Sequence, residues 1–492
     1  MTSKQPFRLL RAELEDQDGA SVDVDFASRN GDGSWTTLVT GRNGSGKSRL
    51  LSAVAGAFDA LDGRHLRRRD PITVEYLFGE HECSFRVGRG KIAAFIDGRL
   101  VETEMLPRPS TVAAATASAF DKFHLPREAR MSGQSPTDSR YRYLGLKDAR
   151  GRISARAGVF RALEQLFDVS AETHSRRQRV ADVFRYLGYN PTVEVTYAWT
   201  FRGRELVDAD ETLSTRAVEQ YLQKEKTRGI SSARSSVPNY FFEEATAAKE
   251  LATSLEALRK NNGGPELRLV ADFRQPNPGG EDQLRMARQL MRAGLVQMAE
   301  VALWLEPSNR RVEITDASSG QLSLVVTMLG IASSIENGSL ILIDEPEISL
   351  HPQWQAEYLG RLEQVFAAYR DCHFIIATHS PTLVAGAGRN RTSIVNLEGL
   401  VTAASDTPSG RSIDEVLLNS FGVVSENSLY LRDLLVAALR GAEDGELALP
   451  TYDEDMASLE AARGELAPGN PIAELIDRLL RIRAQLANRS QS

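Results

Sequence analysis

Gly41-Arg42-Asn43-Gly44-Ser45-Gly46-Lys47-Ser48 is the densest chemical signal in the chain. It satisfies the phosphate-loop pattern and stands between an apolar run, residues 36–40, and a helical pattern, residues 48–61. Its glycines let backbone N–H groups close around a polyphosphate at the positive end of a helix. The expected phosphate-binding residues are Asn43, Gly44, Ser45, Gly46, Lys47, Ser48 and Arg49. Lys47 should reach the β/γ-phosphates and Ser48 should ligate Mg²⁺. Far downstream, the apolar run 340–343 delivers Asp344 to the Mg²⁺ shell and places Glu345 to orient and deprotonate an attacking water. An apolar run ending in two acids is common by itself. Beside a phosphate loop it reads as the second half of an ATP-hydrolysing site.

The elements that must position these residues follow from periodicity and turn signals. Residues 7–14, 21–26 and 36–40 read as strands, 48–61 as a helix, and 72–78, 81–87 and 91–96 as three short strands. Residues 112–115 read as one further core strand leading into 120–123, so a β-rich lobe should pack beside the phosphate-loop helix. The texture changes from about residue 125 to 280. Residues 127–156 are basic and polar, 159–167, 179–186 and 241–260 look helical, 192–200 looks like a strand, and 229–238 reads as a Ser/Arg-rich loop. No long heptad runs through this stretch, so it is read as a largely helical insertion rather than an extended coiled coil. Residues 281–305 read as one amphipathic helix. The continuous apolar runs 339–343 and 372–377 are expected of parallel strands buried on both faces. One short strand at 392–397 and helices at 413–419, 429–438 and 472–486 follow. The expected fold class is α/β, with a mainly parallel central sheet. Its units are 1–125 (N-terminal lobe with the phosphate loop), 126–280 (insertion), 281–400 (C-terminal lobe) and 401–492 (C-terminal helical region).

The run Asp344-Glu345-Pro346-Glu347-Ile348-Ser349-Leu350-His351-Pro352 resembles the Walker B motif and D-loop of ABC/SMC-type ATPases, especially the OLD, RecF and Septu PtuA group. Ala317-Ser318-Ser319-Gly320-Gln321, just upstream, resembles the signature motif, with Ala at its first position and Ser at its third. Ala377-Thr378-His379-Ser380-Pro381 resembles the switch-histidine segment. A Ser-Ser-Gly turn is otherwise a common helix N-cap. The likeness covers residues 1–125 and 280–400, and more weakly 113–123 and 412–423, which resemble defence-associated ATPases of the PtuA kind. It implies that ATP lies between the Walker motifs of one subunit and Ser318, Ser319, Gly320 and Gln321 of another, with His379 among the catalytic groups. A chain with one copy of each motif then implies a homodimer or higher assembly with two composite sites.

The formal net charge of −7 excludes a uniformly basic DNA-coating protein. Basic clusters at 64–69 and 127–156 are the segments that could meet DNA or RNA, but the lack of interleaved aromatics favours a solvated face. Cys83 and Cys372 lie in strand-like runs and read as buried free thiols of a reducing cytoplasm. No apolar run of about 18 residues suggests a membrane span. The acidic run 453–455 reads as a solvated loop rather than a nuclease metal cluster. Two functions compete. One is an ATPase that regulates a separate effector, a nuclease or toxin, in bacterial antiphage defence. The other is a RecF-like DNA-binding ATPase of repair or recombination.

Overall fold

The computed structural model of the protein describes residues 6–15, 21–26, 33–62, 71–88, 90–118, 120–125, 140–147, 163, 174–208, 215–232, 237, 240–243, 246–261, 266–274, 281–387, 391–397, 412–421, 424, 428–443, 450–466 and 470–489. The first elements are β1 (Phe7–Glu15), β2 (Ser21–Asp25), β3 (Trp35–Thr40), α1 (Lys47–Leu61), β4 (Ile72–Phe78), β5 (His81–Gly88), β6 (Lys91–Ile96), β7 (Arg99–Val101), β8 (Val112–Thr116) and β9 (Tyr141–Leu144). Next come α2 (His174–Tyr186), β10 (Tyr189–Trp199), α3 (Phe201–Asp208), α4 (Thr215–Ser232), α5 (Tyr240–Glu243), α6 (Ala247–Asn261), β11 (Glu266–Asp272), α7 (Glu281–Arg292), β12 (Val296–Leu305) and β13 (Arg310–Glu313). The C-terminal part holds α8 (Ser319–Ser334), β14 (Leu340–Asp344), α9 (Pro352–Phe366), β15 (His373–Ala377), α10 (Pro381–Ala385) and β16 (Thr392–Asn396). Helices α11 (Ile413–Phe421), α12 (Leu429–Glu443), α13 (Pro450–Glu465) and α14 (Pro471–Arg489) close it.

Three sheets organise these elements. The order β16-β3-β15-β14-β8-β9 forms a parallel sheet of six strands that draws on both halves of the chain. A second, antiparallel sheet has the order β2-β1-β4-β5-β6-β7. Helix α1 lies between the two. Its Leu50, Leu51, Val54, Phe58 and Leu61 are buried, and one apolar core joins them to Phe7, Tyr76 and Phe85 of the antiparallel sheet and to Leu340, Leu342 and Ile375 of the parallel one. The Phe58 ring sits edge-on to Phe7, Tyr76 and Phe85. Each such side chain contributes roughly 1.5–3 kcal/mol of burial, so the helix carrying the phosphate loop is held from both sides. Alternate residues of the parallel strands, Ile341, Ile343 and Ile376, face the other core with Leu329 of α8 and Leu362 of α9. This α/β architecture is the expected fold class. Cys83 and Cys372 are buried free thiols, both pushed up to about 11 by burial.

Several local expectations need correction. Residues 281–305 are not one helix. After α7 the chain turns at Gly294, whose φ of 73° is left-handed, and continues as β12, which pairs along β10. Strand pairing overrides the helical spacing there. The third sheet, β11-β10-β12-β13, is antiparallel and takes strands from both sides of residue 280, and the strand expected at 192–200 is its β10. Residues 229–232 belong to α4 rather than to a loop, and 241–260 is split into α5 and α6. The acidic run 453–455 lies in helix α13 rather than in a loop, with Asp453 in the first turn, where a carboxylate suits the positive helix end, and Met456, Leu459 and Ala462 of the same helix are buried. Residues 64–69, the expected helix at 159–167 apart from Leu163, and most of 127–156 lie outside the described residues. No helix among the described residues is long and apolar enough to cross a membrane.

His373 pins the two large sheets together. Its Nδ1 accepts the Leu9 N–H of β1 at 3.1 Å, and Nε2 stands 2.8 Å from the Thr37 Oγ1 of β3. With Nδ1 accepting, the neutral ring donates through Nε2. Complete burial, aided by the Arg8 guanidinium, lowers this imidazole from 6.5 to about 3. The unfolded chain therefore takes up a proton below about 6.5 that the folded chain refuses until about 3. The stability from neutral His373 is complete above that window and is lost as pH falls through it, by up to about 1.4 kcal/mol per pH unit. Thermal unfolding from pH 8 to pH 4 should show this slope, and His373→Asn should be less stable at pH 8 but flatter toward acid.

Candidate active site

The carboxyl edge of the parallel sheet gathers the residues singled out by type. Asp344 ends β14, with Ala377 of β15 as its register partner on one side and Thr116 of β8 on the other. The phosphate loop leaves β3 at the same edge and enters α1. Gly41 (φ 142°), Gly44 (φ 88°) and Gly46 (φ 98°) are left-handed, and a Cβ added at Gly44 or Gly46 would meet no heavy atom within 4 Å. Asn43 and Gly44 are exposed, and Arg49 is half-buried. The Ser45 Oγ is buried without a hydrogen-bond partner among the described residues. Lys47 is 5% exposed, and its Nζ donates to the carbonyls of Gly41 at 2.7 Å and Arg42 at 3.1 Å. The Ser48 hydroxyl donates to Asp344 Oδ1 at 3.0 Å, across 296 residues of sequence. Burial pushes the Asp344 carboxyl up to about 7. The Ser48 hydrogen bond opposes this rise, and the charges of Glu345, Asp121 and Glu347 add to it.

Glu345 follows in a left-handed conformation (φ 49°), its N–H held by the Ala377 carbonyl at 2.9 Å. A non-glycine residue there costs about 1 kcal/mol or more. Glu347 was given no role by residue type, yet it organises the edge. It is 4% exposed, and its Oε1 accepts the Thr378 hydroxyl at 2.8 Å and the His379 N–H at 2.7 Å. The His379 Nδ1 lies 3.1 Å from Glu347 Oε1 and 3.8 Å from Glu345 Oε1. Glu347 thus fixes the loop after β15 to the loop after β14 and sets His379 beside Glu345. The only signal for it in the sequence was its place in Asp-Glu-Pro-Glu, where a second acid two residues beyond Glu345 reads as solvated until the turn buries it.

Residues 318–321 sit at the start of α8. The Ser318 Oγ accepts Gln321 N–H at 3.3 Å and Gln321 Oε1 accepts Ser318 N–H at 3.3 Å, so the pair forms a capping box. Ser319 opens the helix, and Gly320 packs against the turn after β14. A Cβ at Gly320 would stand 2.3 Å from the Ser349 carbonyl oxygen. The segment therefore joins the cluster through the Ser349–Leu350 turn. Lys47, Ser48, Asp344, Glu345 and His379 are gathered directly by the sheet edge.

Residues 302–385, from β12 through α10, match the family model described as "AAA domain, putative AbiEii toxin, Type IV TA system". The chain is also similar to "Retron Ec83 probable ATPase" of Escherichia coli, 28% identical over 18% of this chain and 17% of that protein. A second relative is "Retron Vc95 probable ATPase" of Vibrio cholerae serotype O1 biovar El Tor, 25% identical over 27% of each. The similarity spans about a quarter or less of the length of these relatives. Among solved structures, the SMC head domain from Thermotoga maritima is 11% identical, covers 79% of this chain and 94% of that one, and has a TM-score of 0.34. An Smc head domain with a coiled coil and joint derived from Pyrococcus yayanosii is 12% identical, covers 84% and 98%, and has a TM-score of 0.31.

The Glu347 arrangement makes a direct prediction. Glu347→Ala leaves the Thr378 hydroxyl and His379 N–H without their acceptor and should cost about 1–3 kcal/mol. Glu347→Gln keeps an oxygen in that place and should cost less than half as much, as read from thermal or urea unfolding of the two variants side by side.

Proposed function

We propose that the chain binds and hydrolyses ATP with Mg²⁺ in the cytoplasm, and that two copies engage around ATP. In this reading the engaged pair regulates a partner effector, a nuclease or toxin, in bacterial antiphage defence of the PtuA kind. The observation that carries the nucleotide reading is the Ser48–Asp344 hydrogen bond, which joins the helix of the phosphate loop to the acid at the end of β14. The defence reading draws support from the two relatives named as retron ATPases.

The residues fit a polyphosphate and its cation. A buried Ser45 Oγ lacks a partner among the described residues, the faces of Gly44 and Gly46 are open, and Asp344 is a buried acid crowded by other carboxylates. Ser48 and Asp344 would hold Mg²⁺, which when bound offsets the negative charge of the β/γ-phosphates. The N–H groups of Gly44, Ser45, Gly46, Lys47 and Ser48 would cradle the phosphates, flanked by Asn43 and Arg49. Lys47 would exchange the carbonyls of Gly41 and Arg42 for phosphate oxygens. Glu345 would orient the attacking water and take its proton, with His379 beside it and held by Glu347. Ser318, Ser319, Gly320 and Gln321 of the second copy would complete the site, so that ATP closes the pair and hydrolysis reopens it.

Lys47→Ala should abolish ATP binding. Glu345→Gln should retain binding, lower hydrolysis about 100-fold or more, and accumulate as the closed dimer in light scattering. Hydrolysis by Glu345→Gln at the wild-type rate would remove Glu345 as the base.

Shared sites give a mixing test. Lys47→Ala and Ser319→Arg chains should each be inactive alone and regain hydrolysis when mixed, because one composite site of the heterodimer is intact. If subunits exchange and the mixture stays inactive, independent shared sites are ruled out. Assaying the chain for nucleic-acid cleavage with and without the product of its adjacent gene tests the effector. Cleavage by the chain alone, lost on a substitution outside residues 41–48 and 344–345, would overturn that part.

A further inference from the structure

Thr116, the last residue of β8, is the register partner of Asp344, so the turn after β8 begins beside the buried acid. That turn is tightly built. Thr116 Oγ1 accepts the Ser118 N–H at 3.0 Å, and Ser118 Oγ accepts the Phe120 N–H at 3.2 Å. Asp121 then carries the densest set of contacts. Its Oδ1 accepts the Phe123 N–H at 2.9 Å, and its Oδ2 accepts the Tyr143 hydroxyl at 2.9 Å. The Lys147 ammonium stands 3.1 Å from Oδ1 and donates to the Asp121 carbonyl at 2.7 Å. The Asp121 side chain is wholly buried, 0% exposed.

The surroundings hold this carboxylate in one place. Gly145 lets Tyr143 fold back, since a Cβ there would come within 2.3 Å of the Tyr143 hydroxyl and 2.7 Å of Thr116 Cγ2. From the other side, Ser52 of α1 donates to the Lys122 carbonyl at 2.6 Å, which fastens the turn to the phosphate-loop helix. A buried carboxylate is costly unless paired and hydrogen-bonded, and here a lysine, a tyrosine and a backbone N–H are its partners. Its charge is felt at Asp344, where it adds to those of Glu345 and Glu347.

We propose that Asp121 is a positioning residue of the nucleotide site: a fixed carboxylate, clamped by Lys147 and Tyr143, that strengthens divalent-cation binding at Ser48 and Asp344 without ligating the ion. This rests on the reading of Ser48 and Asp344 as the Mg²⁺-holding pair. The turn that carries this carboxylate starts beside Asp344 and is fastened to the helix of Ser48, so its negative charge favours a divalent cation there through the low-dielectric interior, whereas a purely structural ion pair affects only stability.

The test compares the wild-type chain with Asp121→Asn and with the Asp121→Asn/Lys147→Met double variant. Fluorescent mant-ATP binding is titrated with Mg²⁺ and repeated in EDTA, and thermal unfolding is measured on the same samples. Asp121→Asn should raise the Mg²⁺ needed for half-maximal binding about fivefold or more, with mant-ATP affinity in EDTA unchanged. The double variant leaves no unpaired buried charge, so it should regain thermal stability yet keep the raised Mg²⁺ requirement. If its Mg²⁺ requirement returns to wild type along with its stability, the pair is structural and the inference is overturned. The same follows if Asp121→Asn binds Mg²⁺ like the wild type. A wild-type chain that binds no mant-ATP overturns the nucleotide reading and this inference together. Mg²⁺-dependent binding by the wild type, with both variants unchanged, overturns the inference alone.

Discussion

A carboxylate buried at the end of a parallel strand is the constraint around which this molecule is arranged. Asp344 is 1% exposed, and only its neighbours make that tolerable. The hydroxyl of Ser48, brought from the first tenth of the chain, reaches it with a hydrogen bond. For that bond to exist, β3 and β8 from the N-terminal half must interleave with β14 and β15 from the C-terminal half in a single sheet. The sheet is thus the device that closes the site, and anything that loosened its strand order would separate Ser48 from Asp344.

Two further contacts keep that closure rigid. Helix α1 is packed between the antiparallel and parallel sheets, so the phosphate loop is anchored at its helical end by apolar contact on both faces. His373 then ties β1 to β3 and β15 through both ring nitrogens, which keeps the two sheets in register with each other. A neutral imidazole suits the task because it can donate and accept at once inside a dry core. The loops at the carboxyl edge gain their order differently. Glu347 Oε1 accepts from a neighbouring hydroxyl and N–H, and both oxygens of Asp121 are engaged by N–H, hydroxyl and ammonium groups. One fixes the loop after β15 and the other the turn after β8, on opposite sides of Asp344.

The concentration of negative charge at this edge has a chemical meaning. Asp121, Glu345 and Glu347 all disfavour ionisation of Asp344, and burial does so more strongly. A cation relieves each of these costs at once, so the chain alone stores an electrostatic demand that a metal–nucleotide complex can meet.

The sequence by itself determined the local chemistry and much of the architecture. The glycines of residues 41–46, the strand-then-acid pattern ending at Asp344 and Glu345, and the buried runs around 340–343 and 373–377 are local signals, because loop conformation and strand burial depend on nearby residue types. The α/β class was legible for the same reason. Tertiary structure alone decided what depends on pairing. The apolar spacing of 281–305 reads as one helix, and pairing along β10 makes residues 296–305 a strand. The acidic run at 453–455 reads as a loop, and the buried Met456, Leu459 and Ala462 show it to be part of helix α13. Glu347 and Asp121 are invisible as site residues in sequence. An acid looks the same whether it faces water or another loop, and its function comes from burial beside groups that are remote along the chain.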